Sequence, residues 1–108
     1  MRCDVLLTED ANHDLADIYA YVAAHDAPGK AADLLDRIEE AIERLSTYPD
    51  RGSIPKELSA LGIREYRQIL LKPYRIIYRV MGNKVYIYLI ADGRRDLQAL
   101  LARRLLSS

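Results

Sequence analysis

The chain has a single cysteine, Cys3, and neither phenylalanine nor tryptophan. One thiol cannot close an intramolecular disulfide, and nothing at the start reads as a secretory leader, so a reducing, cytoplasmic setting is expected. The longest apolar run, Val85 to Ala91, is far too short to cross a bilayer, so no membrane association is expected. The two histidines, His13 and His25, do not stand with carboxylates or thiols at metal-ligand spacing. No glycine cluster offers backbone amides to a phosphate. Neither a metal nor a cofactor is therefore expected. Repeats and low-complexity segments are absent as well. Length argues for one domain spanning 1–108. A chain of this size buries roughly 65% of its unfolded surface, enough for a core without staples.

Net charge is zero, but the two signs are separated. Residues 1–61 carry 6 Lys/Arg against 13 Asp/Glu, a net of −7, while residues 62–108 carry 10 against 3, a net of +7. This division points to a basic surface that meets an anion or an acidic partner.

Periodicity orders the elements. Cys3 to Leu7 reads as a short strand. Thr8 is placed to cap a helix whose first turn holds Glu9 and Asp10. Ala11, Leu15, Ile18, Tyr19 and Val22 follow at helical spacing. His25 to Gly29 breaks the pattern, and Pro28 suits a fresh helix start. Ala31, Leu34, Leu35, Ile38, Ala41, Ile42 and Leu45 stripe the second helix, which a short link makes antiparallel to the first. Tyr48 to Ile63 reads as a loop with a helical turn near Glu57 to Leu61. Strands are expected over Arg64 to Lys72, Tyr74 to Met81 and Lys84 to Ala91, the last two joined by a Gly82-Asn83 turn. An amphipathic helix from Arg95 to Leu106 closes the chain.

Strand alternation puts Tyr74, Ile76, Tyr78 and Val80 on one face and Arg75, Ile77, Arg79 and Met81 on the other. Val85, Ile87 and Leu89 alternate likewise with Tyr86, Tyr88 and Ile90. One face is expected to pack on the helical hairpin. The other, extended by Arg67, is expected to be half wet and cationic. Arg67, Arg75, Arg79, Arg94 and Arg95 would converge there, with forks suited to phosphate or carboxylate and with Tyr86 and Tyr88 able to stack on bases. A purely structural role would instead pair these arginines with neighbouring acids such as Glu65, Asp92 and Asp96.

The order strand, helical hairpin, loop, three antiparallel strands and helix, with YRIIYRV (74–80) followed by GRRDLQALLARRLL (93–106), resembles the RelE/ParE family of toxins from bacterial type II toxin–antitoxin modules. The likeness spans nearly the whole chain and is specific from Tyr66 onward. It implies an α+β fold, with the helical hairpin packed on a mostly antiparallel sheet, and a cognate antitoxin as partner. One branch of the family cuts mRNA in the ribosome, and the other, the ParE branch, poisons DNA gyrase. RNA cutting needs a proton acceptor, a donor for the leaving oxygen and positive charge on the phosphate. Arg67, Arg75 and Arg95 fall where the resemblance places three cations. Ile69 stands in place of another cation, and neither tyrosine nor histidine follows Tyr88.

That pattern is closer to the ParE branch: an inhibitor of DNA gyrase with no catalytic residues, its target met by the five arginines. Tyr19, Tyr21 and Val22 on the first helix and Leu34, Ile38 and Ile42 on the second are the candidate antitoxin surface. The alternatives are a RelE-like, ribosome-dependent mRNA endoribonuclease and an inert homologue that only binds antitoxin.

Overall fold

The computed structural model describes residues 2–106. Strand β1 (Asp4–Leu7) leads into helix α1 (Glu9–His25). Thr8 caps that helix, its side chain accepting from Ala11 N at 3.1 Å. Helix α2 (Pro28–Arg44) starts on Pro28, whose missing N–H costs nothing in the first turn. Next come α3 (Lys56–Ser59), β2 (Tyr66–Leu71), β3 (Tyr74–Met81), β4 (Lys84–Asp92) and α4 (Leu97–Leu106). The sheet order is β1-β4-β3-β2, with β1 parallel to β4 and the other pairs antiparallel.

The α+β architecture and the Gly82-Asn83 turn match expectation, and Gly82 has the positive φ of 62° that such a turn asks of its first residue. Several boundaries move by a residue or two, and two of these shifts bear on the site. β2 begins at Tyr66 rather than Arg64. α4 begins at Leu97 rather than Arg95, because Asp96 is its cap: Asp96 Oδ1 accepts from Ala99 N at 3.1 Å. Arg94 and Arg95 thus lie in the turn before the helix, closed by Arg95 N donating to Asp92 O at 3.1 Å.

Alternation fails at one place. Ile77 pairs with Leu89 but Tyr78 pairs with Ile87, so Tyr88 is an extra residue on β4. This bulge reverses the facing of the strand beyond it. Ile90, expected on the wet face, packs with Ile76, Tyr78, Val85 and Ile87 against Ala11, Ile38, Ile42 and Leu45 of the hairpin side. Leu89, expected toward the hairpin, joins Ile77 and Ala91 beneath Leu58, Leu97 and Leu101. The sheet is therefore covered on both faces, by the helical hairpin on one and by α3 and α4 on the other. Each fully buried isoleucine is worth about 1.5–3 kcal/mol in these cores.

The loop before β2 is strapped to the sheet. The Tyr78 hydroxyl donates to Pro49 O (2.7 Å) and accepts from Gly52 N (3.0 Å). Ser53 and Gln68 exchange two backbone hydrogen bonds, at 3.1 and 2.7 Å. A side chain at position 52 has no room, since its Cβ would stand 2.4 Å from Gln68 O.

Candidate functional site

The five arginines do not converge. Arg67 pairs with Tyr78 in the β2–β3 register and so projects to the hairpin side, opposite Arg75 and Arg79. There it donates to Gly52 O (2.8 Å) and Asp50 O (3.3 Å), holding the loop. Arg75 is largely buried and fully engaged. Its Nη1 and Nη2 donate to the two carboxylate oxygens of Glu57 at 2.8 and 2.9 Å, and its Nε donates to Gln68 Oε1 at 2.7 Å. The Arg75 guanidinium holds the Glu57 carboxyl below its ordinary range. Arg79 lies over the Tyr66 ring, 5.8 Å from its centroid. Arg94 forks onto Asp92, at 2.6 and 3.0 Å, and with its own backbone N–H draws the Asp92 pKa down to about 2.

Arg95 is exposed, and its side chain makes no hydrogen bond or ion pair among the described residues. It borders a cleft of about 460 Å³ between α1 and the ends of β3 and β4, with Ile18 and Ile90 among its apolar lining and Tyr21, Tyr74 and Arg94 also along it. Burial pushes the Tyr74 hydroxyl up. Tyr21 is 63% exposed and stacks on His25 at 4.1 Å between ring centroids. The cleft thus joins two sets of residues that the sequence left apart: the arginines after β4 and a tyrosine of α1.

The six hairpin residues also divide. Val22, Ile38 and Ile42 are buried, and Leu34 packs against the same core, so these four make the hairpin's inner seam rather than a free surface. Tyr19 and Tyr21 are exposed. The open face of the hairpin is instead a shallow groove along α1 and α2 lined by Leu15, Ala16, Tyr19, Ala32 and Leu35.

Sequence reasoning missed the Asp14–Arg104 clamp. Arg104 forks onto Asp14 at 2.9 and 3.0 Å and donates to Tyr88 O at 2.7 Å, while Asp14 Oδ2 accepts from Ile90 N at 3.0 Å. β1 reaches only as far as Ile87 of β4. Beyond that point the clamp satisfies the bare strand edge. The signal was present: Asp14 lies within the Ala11, Leu15, Ile18 stripe, and Arg104 follows Leu101 by three residues on the inward side of its helix. Also missed was the Tyr66–Tyr88 edge-to-face pair, at 5.3 Å and 82°. Among the described residues no group of three His, Cys, Asp or Glu side chains is placed to hold a metal ion, and no helix is long and apolar enough to cross a membrane.

Residues 5–97 match the family model described as the ParE toxin of the type II toxin–antitoxin system parDE. The chain belongs to the ParE toxin family. Toxin ParE3 of Caulobacter vibrioides is 32% identical over 100 residues, covering 93% of this chain and 96% of that protein. Among solved structures, the chromosomal ParDE system from P. aeruginosa superposes with a TM-score of 0.71 at 24% identity, covering 84% of this chain and 96% of that one. The RelBE2 toxin–antitoxin complex from Mycobacterium tuberculosis superposes with a TM-score of 0.59 at 21% identity, covering 85% and 92%. The fold is thus common to both branches, and the family match falls on the ParE side.

Proposed function

We propose that this toxin acts by binding and inhibiting DNA gyrase and is silenced by a cognate antitoxin. The observation that carries the reading is the state of Arg75. An RNA cutter needs a free cation on the third strand to meet the scissile phosphate. Here that guanidinium is spent on Glu57 and Gln68. Arg67 lies on the opposite face, and no tyrosine or histidine follows Tyr88 to move a proton. General acid–base help is worth ~10²–10⁴ in rate, and its loss leaves a poor nuclease.

On this reading Arg95 and its cleft meet the target, since the Arg95 side chain makes no hydrogen bond or ion pair among the described residues and borders a cleft of apolar, tyrosine and aspartate side chains, Asp92 feeling its charge. The groove along Leu15, Tyr19 and Leu35 takes an antitoxin helix by its apolar face. The two similar solved structures described above are toxin–antitoxin systems, which supports such a partner. The test is Arg95→Ala in a gyrase supercoiling assay with purified components. Loss of inhibition with unchanged thermal unfolding supports the reading. Full inhibition by the variant removes Arg95 from the target surface.

A further inference from the structure

The face of the sheet under α3 and α4 ends in a second surface that the target and hairpin sites do not use. Arg79 pairs across the sheet with Tyr66 on one side and Tyr86 on the other. Its guanidinium lies over the Tyr66 ring and has no carboxylate partner among the described residues. Tyr88 lies on the same face, where its ring meets the Tyr66 ring edge-on. Burial raises the Tyr88 hydroxyl pKa, with Tyr66, Arg79 and Tyr86 also felt there. The result is one unpaired, half-buried cation framed by three rings.

Tyr66 also belongs to the wall of an apolar groove of about 230 Å³ between α3 and α4, lined by Leu58, Leu61, Ile63, Leu101 and Leu105. The cation and the groove are therefore one continuous surface hinged on a single tyrosine. We infer that this surface binds a peptide segment carrying a bulky apolar side chain for the groove and a carboxylate for Arg79. The inference rests on the reading that the chain has an antitoxin, and makes this the seat of that partner's acidic segment.

Charge and shape favour such a segment over single-stranded RNA. Glu57, at the groove, is already neutralised by Arg75, while the exposed Glu65 also lines it, so an occupant meets one cation, Arg79, at the tyrosine end and one anion at the groove that would repel a phosphate. An RNA strand needs several phosphate contacts. Arg75 is occupied and Arg67 lies on the other face, so neither of these strand arginines joins Arg79 in supplying them. An aliphatic groove also offers nothing to a sugar or phosphate.

The experiment selects short random peptides by display on the full chain and measures their affinity by fluorescence anisotropy. Peptides that pair a large apolar residue with Asp or Glu are expected. Their affinity should fall about tenfold in Arg79→Gln and in Leu61→Asp, and should survive in large part in Arg79→Lys. Leu61 is 56% exposed, so that variant probes the groove without touching the core. Selected peptides without acids, or binding indifferent to both Arg79 variants, would overturn the inference. So would a mixed-sequence ribo-oligonucleotide that displaces the peptides and itself loses affinity in Arg79→Gln. Because the readout is binding, it can fail while gyrase inhibition stands, and stand while gyrase inhibition fails.

Discussion

Replacing Arg75 by methionine removes a cation whose side chain is 13% exposed from a carboxylate that is 15% exposed, along with two hydrogen bonds of 2.8 and 2.9 Å. Breaking a buried pair by deleting one partner costs about 3–5 kcal/mol, because the other charge is left without compensation. The pair still touches water, so the low end, about 3 kcal/mol, is expected. For a domain near this size each kcal/mol moves Tm by roughly 4–8 °C, so Arg75→Met should melt roughly 12–24 °C below the parent. The double variant Arg75→Met with Glu57→Leu removes both charges and should recover most of that loss. The acid limb adds a second readout. Glu57 titrates below its ordinary value of 4.5 in the folded state, so its contribution is complete above that value and is lost as pH falls through the folded pKa. Arg75→Met should flatten this part of the stability–pH curve. Differential scanning calorimetry across pH reads both effects. A shift in Arg75→Met no larger than the ~0.5 kcal/mol of an ordinary surface change would refute the structural role. It would return Arg75 to the list of residues free to meet a phosphate.

Arg104→Met should destabilise by about 3 kcal/mol in urea denaturation, since it strips Asp14 of its fork and Tyr88 O of a donor at once; a neutral result would mean the clamp is ornamental. Gly52→Ala should cost about 1–3 kcal/mol, the usual penalty of overpacking, because the new methyl meets Gln68 O and the Tyr78 hydroxyl; an unchanged urea midpoint would contradict the close approach. Arg94→Ala should let the Asp92 carboxyl rise from about 2 toward its ordinary 3.8 in an NMR titration, the Arg94 side chain being the main cause of its depression.

The elements were legible because their signals are local. Thr8 before an acidic turn, Pro28 at a helix start and Gly82-Asn83 between two apolar strands each act over a few residues. What the sequence hid depends on partners far along the chain. Strict alternation cannot show that Tyr88 is an extra residue, because the bulge is defined by β3, and it alone moves Leu89 and Ile90 to opposite faces. Arg67 and Arg75 are eight positions apart and look alike in a pattern, yet pairing in a register set by the Lys72-Pro73 turn sends them to opposite sides. Tyr19, Tyr21, Val22, Leu34, Ile38 and Ile42 look alike in the sequence as one candidate surface. Val22, Ile38 and Ile42 are consumed by the core, and what stays open is a groove along the other edge of the same helices, where Tyr19 is exposed and Leu15 and Leu35 are half-buried. A sequence points first to acids that are adjacent in it as partners for an arginine. Asp92 does serve Arg94, but Arg75 takes Glu57, eighteen residues away.

The most direct measurement of the central claim adds the purified toxin to two reactions in parallel: gyrase supercoiling of relaxed plasmid, and translation of a reporter mRNA in a cell-free extract. The account predicts that supercoiling is inhibited, that Arg95→Ala relieves the inhibition, and that the mRNA remains full length. Codon-specific cleavage of the message with supercoiling untouched, abolished by an Arg75→Lys variant that still folds, would contradict it.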